Sequence, residues 1–154
     1  MNSKKLVGVL LALVFASGLY ASQGKQPDCI NVHVDYGSLN NEAVTQVCLD
    51  VNGPMKAIDV VESVGFILEG TQKYGDAVVC RVNGLPDKTA ESCREMPPAE
   101  AYWAILIKEK QFIPIPFGFG SNWGWAQTGM NEINLNPGDS IGLVFVKDGE
   151  VRYP

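Results

Sequence analysis

The chain has 154 residues, with 12 basic and 17 acidic residues and a formal net charge of −5 at pH 7. This length is enough for one ordinary domain. An acidic surface repels phosphate backbones and anionic membranes, so the composition argues against nucleic acid as a partner.

Residues 1–24 have the pattern of a secretory signal peptide. Two lysines precede an uncharged apolar run over residues 6–16, and small residues follow it. Cleavage after Gly18, Ala21 or Gly24 fits this pattern. A spanning helix needs about 20 apolar residues, and an uncleaved membrane anchor is the alternative interpretation. We expect a secreted or extracytoplasmic protein, at the cell surface or in the periplasm, with no membrane span after cleavage.

The first half of the mature chain predicts a hairpin. Residues 25–29 are expected to form a flexible lead-in, and residues 30–154 a single domain. Apolar and polar residues alternate over residues 30–36, which predicts a half-buried strand. Residues 43–51 predict a second strand, joined to the first by turn residues at 37–41.

The segment Asn52-Gly53-Pro54 marks a change to a helix. Proline at the first helical position and a glycine such as Gly65 just past the end are typical of helix boundaries. Apolar residues recur about every three positions between Met55 and Val64. This spacing predicts an amphipathic helix of about ten residues that packs on the apolar side of a sheet.

Three further strands are predicted at residues 77–82, 101–108 and 140–146. Turn residues occur at 83–86 and 136–139. The predicted order is strand, strand, helix, strand, strand, irregular segment, strand. Such an order favours an α+β fold with a mixed sheet and one helix packed across it.

Four cysteines follow the predicted leader. In an oxidising compartment an even number of cysteines predicts disulfides, here with three possible connectivities. We favour Cys29–Cys48 and Cys80–Cys93, because each pair flanks a predicted turn. Each would close a loop of about 15 to 20 residues and stabilise the fold by roughly 3 kcal/mol in the chain-entropy model. A four-cysteine metal site is not favoured, because no C-x-x-C spacing occurs.

The sequence predicts neither catalytic residues nor metal ligands. The single histidine, His33, shares a strand face with Asp35, and a base beside a carboxylate is a catalytic arrangement. A polar pair on the solvent side of an edge hairpin gives the same pattern, and we favour that interpretation. Motifs of hydrolases, zinc proteases and nucleotide-binding enzymes are missing from the sequence. No calcium-binding loop occurs, and Asp139 is expected to accept backbone N–H groups of its own turn.

Aromatic residues give the strongest functional signal. Tyr102 and Trp103 are neighbours on a predicted strand, so one of them must point away from the core. Residues 111–128 carry further rings among prolines and glycines. Exposed aromatic patches usually mark a contact surface, and a loop packed on itself over the end of the sheet is the alternative. The predicted ligand-binding residues are Tyr102, Trp103, Phe117, Phe119, Trp123 and Trp125.

Several motifs follow one another in a recognisable order. A first set consists of Asn83-Gly84, Tyr102-Trp103, Gly129 and residues 135–143. A second set lies within residues 70–84, at Cys93 and at Pro97-Pro98-Ala99. This order resembles the transcobalamin-like carboxy-terminal domain, a family of the soluble ligand-binding β-grasp group. The second set of motifs is similar to the single-domain version found in secreted bacterial proteins.

The resemblance implies a β-grasp fold and a surface for a corrinoid (cobalamin) or a related cofactor or nutrient. The sequence thus predicts a secreted or cell-surface module that binds a small ligand through aromatic stacking and apolar cover. The alternative is a protein–protein interaction module that docks to an envelope or transporter partner.

Overall fold

A computed structural model of the chain describes residues 29–40, 42–108 and 123–154. The predicted signal peptide and Phe117 and Phe119 lie outside the described residues. The elements are β1 (Cys29–Asp35), β2 (Thr45–Asp50), β3 (Met55–Lys56), α1 (Ala57–Ser63), β4 (Leu68–Thr71), β5 (Gly75–Val82), β6 (Ala101–Lys108), β7 (Gly124–Trp125), β8 (Asn134–Leu135) and β9 (Ser140–Lys147).

The largest sheet has five strands in the order β2-β1-β9-β6-β7. The first and last strands, β1 and β9, pair in parallel, and the other neighbours are antiparallel. The chain therefore begins with the hairpin of β1 and β2 and continues into α1. Its last strand, β9, lies in the middle of the sheet between β1 and β6. The predicted α+β fold, a mixed β-grasp-like sheet with one helix packed across it, is confirmed. Two small antiparallel pairs, β3-β8 and β4-β5, complete the described structure.

The hydrophobic core lies between α1 and one face of this sheet. Side chains alternate along each strand, so Val32 on β1 and Ile141 on β9, which are register partners, point to the same face. Val60 and Val61 of α1 belong to the same buried cluster. All four side chains are fully buried. Complete burial of an aliphatic side chain stabilises the fold by roughly 1.5–3 kcal/mol, so this face supplies much of the stability.

The helix is shorter than predicted. Met55 and Lys56 form β3, in which Met55 pairs with Leu135, and the helix begins only at Ala57. The prediction of a helix from Met55 was wrong because the three-residue apolar spacing continues into this extended segment, where Met55 still packs on the core. Within the described ranges, no helix has the length and hydropathy needed to cross a membrane.

The hairpin of β4 and β5 carries a buried arginine, Arg81. Its guanidinium donates from Nε to the Pro86 carbonyl at 2.9 Å, from Nη1 to the Glu69 carboxylate and from Nη2 to the Glu91 carbonyl. Buried charges are stable only when they are paired and hydrogen-bonded, as this one is. Arg81 thus fastens the segment that follows β5 onto the hairpin. The strand β4 was not predicted.

An aromatic cluster connects this hairpin to the main sheet. The ring of Trp103 packs edge-to-face against Tyr36 and Phe145, with centroid distances of 5.4 and 5.5 Å. The Trp103 indole N–H donates to the Leu85 carbonyl at 3.0 Å. The Asn83 side-chain amide donates to the Tyr36 hydroxyl oxygen at 2.9 Å. Both polar aromatic side chains are therefore satisfied by the turn that ends β5.

Both predicted disulfides are confirmed. Cys29 is bonded to Cys48 across β1 and β2, with Cα atoms 5.6 Å apart. Cys80 is bonded to Cys93, with Cα atoms 5.7 Å apart, and this bridge holds the segment after β5 against the second hairpin. Both distances are usual for protein disulfides.

The two bridges differ in burial, and we expect them to differ in reactivity. Cys48 is exposed, whereas Cys80 and Cys93 are almost completely buried. A thiolate must reach a sulfur to exchange with it. Dithiothreitol under native conditions should therefore open Cys29–Cys48 first, as measured by alkylation and peptide mass analysis. In denaturant the two bridges should open at similar rates. Earlier alkylation of Cys80 and Cys93 in the native protein would contradict this prediction.

Candidate functional site

Tyr102 and Trp103 point to opposite faces of the sheet. Trp103 pairs with Phe145 and is 5% exposed, so it is a core residue. Tyr102 pairs with Val146 and lies on the face away from α1, where it is partly exposed. The Trp103 ring has almost no surface that a ligand could contact, so Trp103 is not part of an exposed binding surface. Tyr102 is the member of the pair that can make contacts.

Trp125 lies at the edge of the main sheet. It belongs to β7, which pairs with β6 so that Trp125 is opposite Leu106. Ala126 continues the connection, because its N–H donates to the Ile105 carbonyl at 2.9 Å. Register places the Trp125 side chain on the face away from α1. The residue is 42% exposed, the largest exposure among the tryptophans that the structure describes.

Trp123 lies across the same face of the sheet, above Gly142 of β9. A Cβ atom at Gly142 would be 3.4 Å from the Trp123 ring and 3.3 Å from Pro154. The glycine therefore leaves room for the indole to rest on the strand. The Trp123 N–H donates to the Pro154 carbonyl at 2.9 Å. Its ring also packs edge-to-face against His33, with centroids 5.2 Å apart.

Tyr102, Trp123 and Trp125 thus share the sheet face opposite α1, and we call these three residues the ring surface. Trp123 directly precedes β7 and Trp125 ends it, so the two tryptophans are neighbours on this face. Tyr102 is four residues along β6 from Leu106, or about 13 Å at the usual strand rise. Phe117 and Phe119, which were predicted with them, lie outside the described residues.

His33 supports the ring surface. The hairpin of β1 and β2 lies at the edge of the sheet, as predicted, with β2 outermost and β1 between β2 and β9. The predicted solvent-facing pair was wrong, because Asp35 is buried and His33, in contact with the Trp123 ring, is only partly exposed. Burial, and secondly the charge of Lys108, lower the pKa of His33 below its ordinary value of 6.5. Asp35 is buried, and its carboxylate accepts the Gly37 N–H at 2.8 Å.

Among the residues that the structure describes, no group of three or more His, Cys, Asp or Glu side chains could hold a metal ion. Asp139 accepts the backbone N–H of Asn136 at 2.7 Å. This confirms its predicted role in the turn before β9.

No protein-family model, no curated protein and no solved structure matches the chain. The resemblance to the transcobalamin-like domain therefore stays a prediction. Asn83 and Trp103, which belong to the motifs that carry this resemblance, lie close to each other in the fold. Asn83 donates to the Tyr36 hydroxyl, and the Trp103 ring packs against Tyr36 and donates to the Leu85 carbonyl.

Sequence reasoning missed the residues that position Trp123, which are Gly142, His33 and Pro154. Gly142 lies within the apolar run of β9, and a glycine inside a strand often marks a close approach of another group. That signal was available. His33 gave no such signal, because contact with Trp123 depends on the placement of β7 far along the chain.

The lowered pKa of His33 predicts a pH dependence of stability. The unfolded chain takes up a proton at His33 near pH 6.5, and the folded protein does so only at lower pH. The free energy of unfolding should therefore fall as pH decreases below 6.5. His33→Asn removes this titration. Its Tm should fall less than that of the wild type between about pH 7 and about pH 5.

Thermal unfolding followed by circular dichroism at the two pH values measures this difference. The carboxylates titrate in both proteins, so the comparison isolates His33. An equal or larger fall of Tm in His33→Asn would exclude this role of the histidine.

Proposed function

We propose that the protein is an extracytoplasmic binding module that holds a planar small ligand against the ring surface. The observation that carries this proposal is Trp125, an indole that is 42% exposed on an edge strand. Scattered apolar side chains are normal on surfaces. Here, however, a second indole and a phenol lie on the same sheet face. Covering such rings with a flat apolar ligand releases water and adds stacking energy.

The spacing of the ring surface favours a large ligand. The position of Tyr102 is about 13 Å along β6 from the strand partner of Trp125. A macrocycle could contact both ends of this distance, whereas a single small ring could not. A corrinoid or a related cofactor fits this requirement and is the ligand class that the sequence resemblance suggests.

The backing of the ring surface also favours binding. Trp123 is fixed by its hydrogen bond to Pro154 and by its contacts with His33 and Gly142. A ring that is already held in place loses little conformational entropy when a ligand packs against it. Trp123 can therefore act as a preformed platform, with Trp125 as the more exposed contact.

Two disulfides support a site of action outside the cytoplasm. Such bonds form and persist in oxidising compartments, including the periplasm and the cell exterior. The predicted leader agrees with this location. We infer that the protein meets its ligand there, as a secreted or cell-surface protein.

Isothermal titration calorimetry with cyanocobalamin, cobinamide, haem and flavin mononucleotide tests the proposal. We expect at least one of these ligands to bind. Trp125→Ala should weaken that binding about tenfold or more, as truncation of an aromatic contact commonly does. Tyr74→Ala is the matched control, because Tyr74 is also 42% exposed but lies in the turn between β4 and β5.

The control variant should bind like the wild type. A folded wild-type protein that gives no heat with any of the four ligands would count against a planar-ligand site. Equal weakening by Tyr74→Ala would show that the effect does not come from the ring surface.

A second candidate function is docking to an envelope or transporter protein. Its support comes from Ile67 and Met96, which are 72% and 58% exposed. Ile67 directly precedes β4, and Met96 lies in the segment between β5 and β6. Large exposed apolar side chains are typical anchors of protein contacts. Cross-linking in the native envelope distinguishes the two functions, since one recurrent protein partner would favour docking.

A further inference from the structure

The tripeptide Val-Asn-Gly occurs twice in the chain, as Val51-Asn52-Gly53 and as Val82-Asn83-Gly84. Asparagine followed by glycine can lose its side-chain amide, because the next backbone nitrogen can attack the amide carbon. Glycine hinders this attack least, since it has no side chain. The local sequence is the same at both places, so any difference in reactivity must come from the fold.

We propose that Asn52 is a site of spontaneous deamidation and isoaspartate formation in the folded protein, and that the fold protects Asn83. A bond forms between the Gly53 nitrogen and the Asn52 side-chain carbon Cγ, and the bond from Cγ to Nδ2 breaks. Ammonia leaves with the proton of the Gly53 N–H, and a succinimide remains. Water then opens this ring at either carbonyl, giving aspartate or isoaspartate. Water is the only co-reactant, and no oxidant or reductant is needed.

The surroundings of Asn52 permit this reaction. Asn52 is exposed and lies in the bend between β2 and β3. A Cβ atom added to Gly53 would meet nothing within 4 Å, so the backbone there lies in open space. None of the hydrogen bonds among the described residues involves the Asn52 amide or the Gly53 N–H. The attacking and the attacked group are therefore both free to approach each other.

The surroundings of Asn83 prevent it. The Asn83 side-chain oxygen accepts the Ile67 N–H at 2.8 Å, and its amide nitrogen donates to Tyr36 at 2.9 Å. Backbone hydrogen bonds of 3.0 Å in both directions between Val82 and Leu85 close the turn. Attack on the amide would require both side-chain bonds to break. Asn83 should thus react only when this part of the structure opens.

Deamidation would change the connection between β2 and β3. Each event converts a neutral side chain into a carboxylate, which makes an already acidic protein more acidic. The isoaspartate product also adds one methylene to the backbone before Pro54. Because the bend is exposed and contacts little, we expect the fold to persist. This inference is independent of what the protein binds.

Peptide mass analysis of the native protein, kept in neutral buffer and sampled over days, tests the proposal. Trypsin separates the two asparagines, since Lys56 and Arg81 lie between them. The peptide that contains Asn52 should gain one mass unit and score positive for isoaspartate. The peptide that contains Asn83 should change at least about tenfold more slowly, because its reaction depends on local opening. In the reduced, denatured chain both peptides should change at similar rates.

Gly53→Ala tests whether deamidation of Asn52 depends on the glycine that follows it, while the exposure of Asn52 stays the same. The open space around Gly53 should accept the new methyl group, so Tm should stay unchanged while deamidation at Asn52 slows several-fold. An unchanged Asn52 in the native protein, with both sites reacting in the denatured chain, would overturn the proposal. Equal native rates at the two sites would also overturn it.

Discussion

The fold depends on the burial of Trp103 between Tyr36 and Phe145. An indole and a phenol are large apolar groups with polar ends, and a core can hold them only if those ends are hydrogen-bonded. The turn after β5 meets this requirement, because the Leu85 carbonyl accepts the indole N–H and Asn83 donates to the Tyr36 hydroxyl. Burial raises the pKa of Tyr36 above its ordinary value of 10. Residues from four separate parts of the chain are joined in this cluster.

The position of Trp103 determines what is left for the other face of the sheet. Since side chains alternate along β6, Trp103 in the core places Tyr102 on the opposite face. The same alternation directs Trp125 to that face through its pairing with Leu106. Gly142 leaves room for Trp123 to lie across the strand. One tryptophan therefore stabilises the fold, while two others contribute to the ring surface.

Local patterns predicted the five long strands β1, β2, β5, β6 and β9, the disulfides and the fold class, because alternation, turn residues and cysteine spacing are local signals. The short strands β3, β7 and β8 were not predicted, and β7 lies in a segment that was expected to be irregular. They failed where long-range pairing decided the conformation. Met55 continues the helical spacing but is held extended by Leu135, about 80 residues away. β4 was missed because it is short and its pairing shifts around Gly70. In the site, adjacency showed that Tyr102 and Trp103 must diverge, but only the register shows which of them is buried.

The most direct test of this division of roles compares the free energy of unfolding of Trp103→Phe and Trp125→Phe in urea. Trp103→Phe shrinks a buried ring and removes one of the two hydrogen bonds that the Leu85 carbonyl accepts, so it should lose about 2 to 4 kcal/mol. Trp125→Phe changes an exposed ring and should stay within about 0.5 kcal/mol of the wild type. Equal losses, or a larger loss for Trp125→Phe, would contradict the assignment of Trp103 to the core and Trp125 to the ring surface.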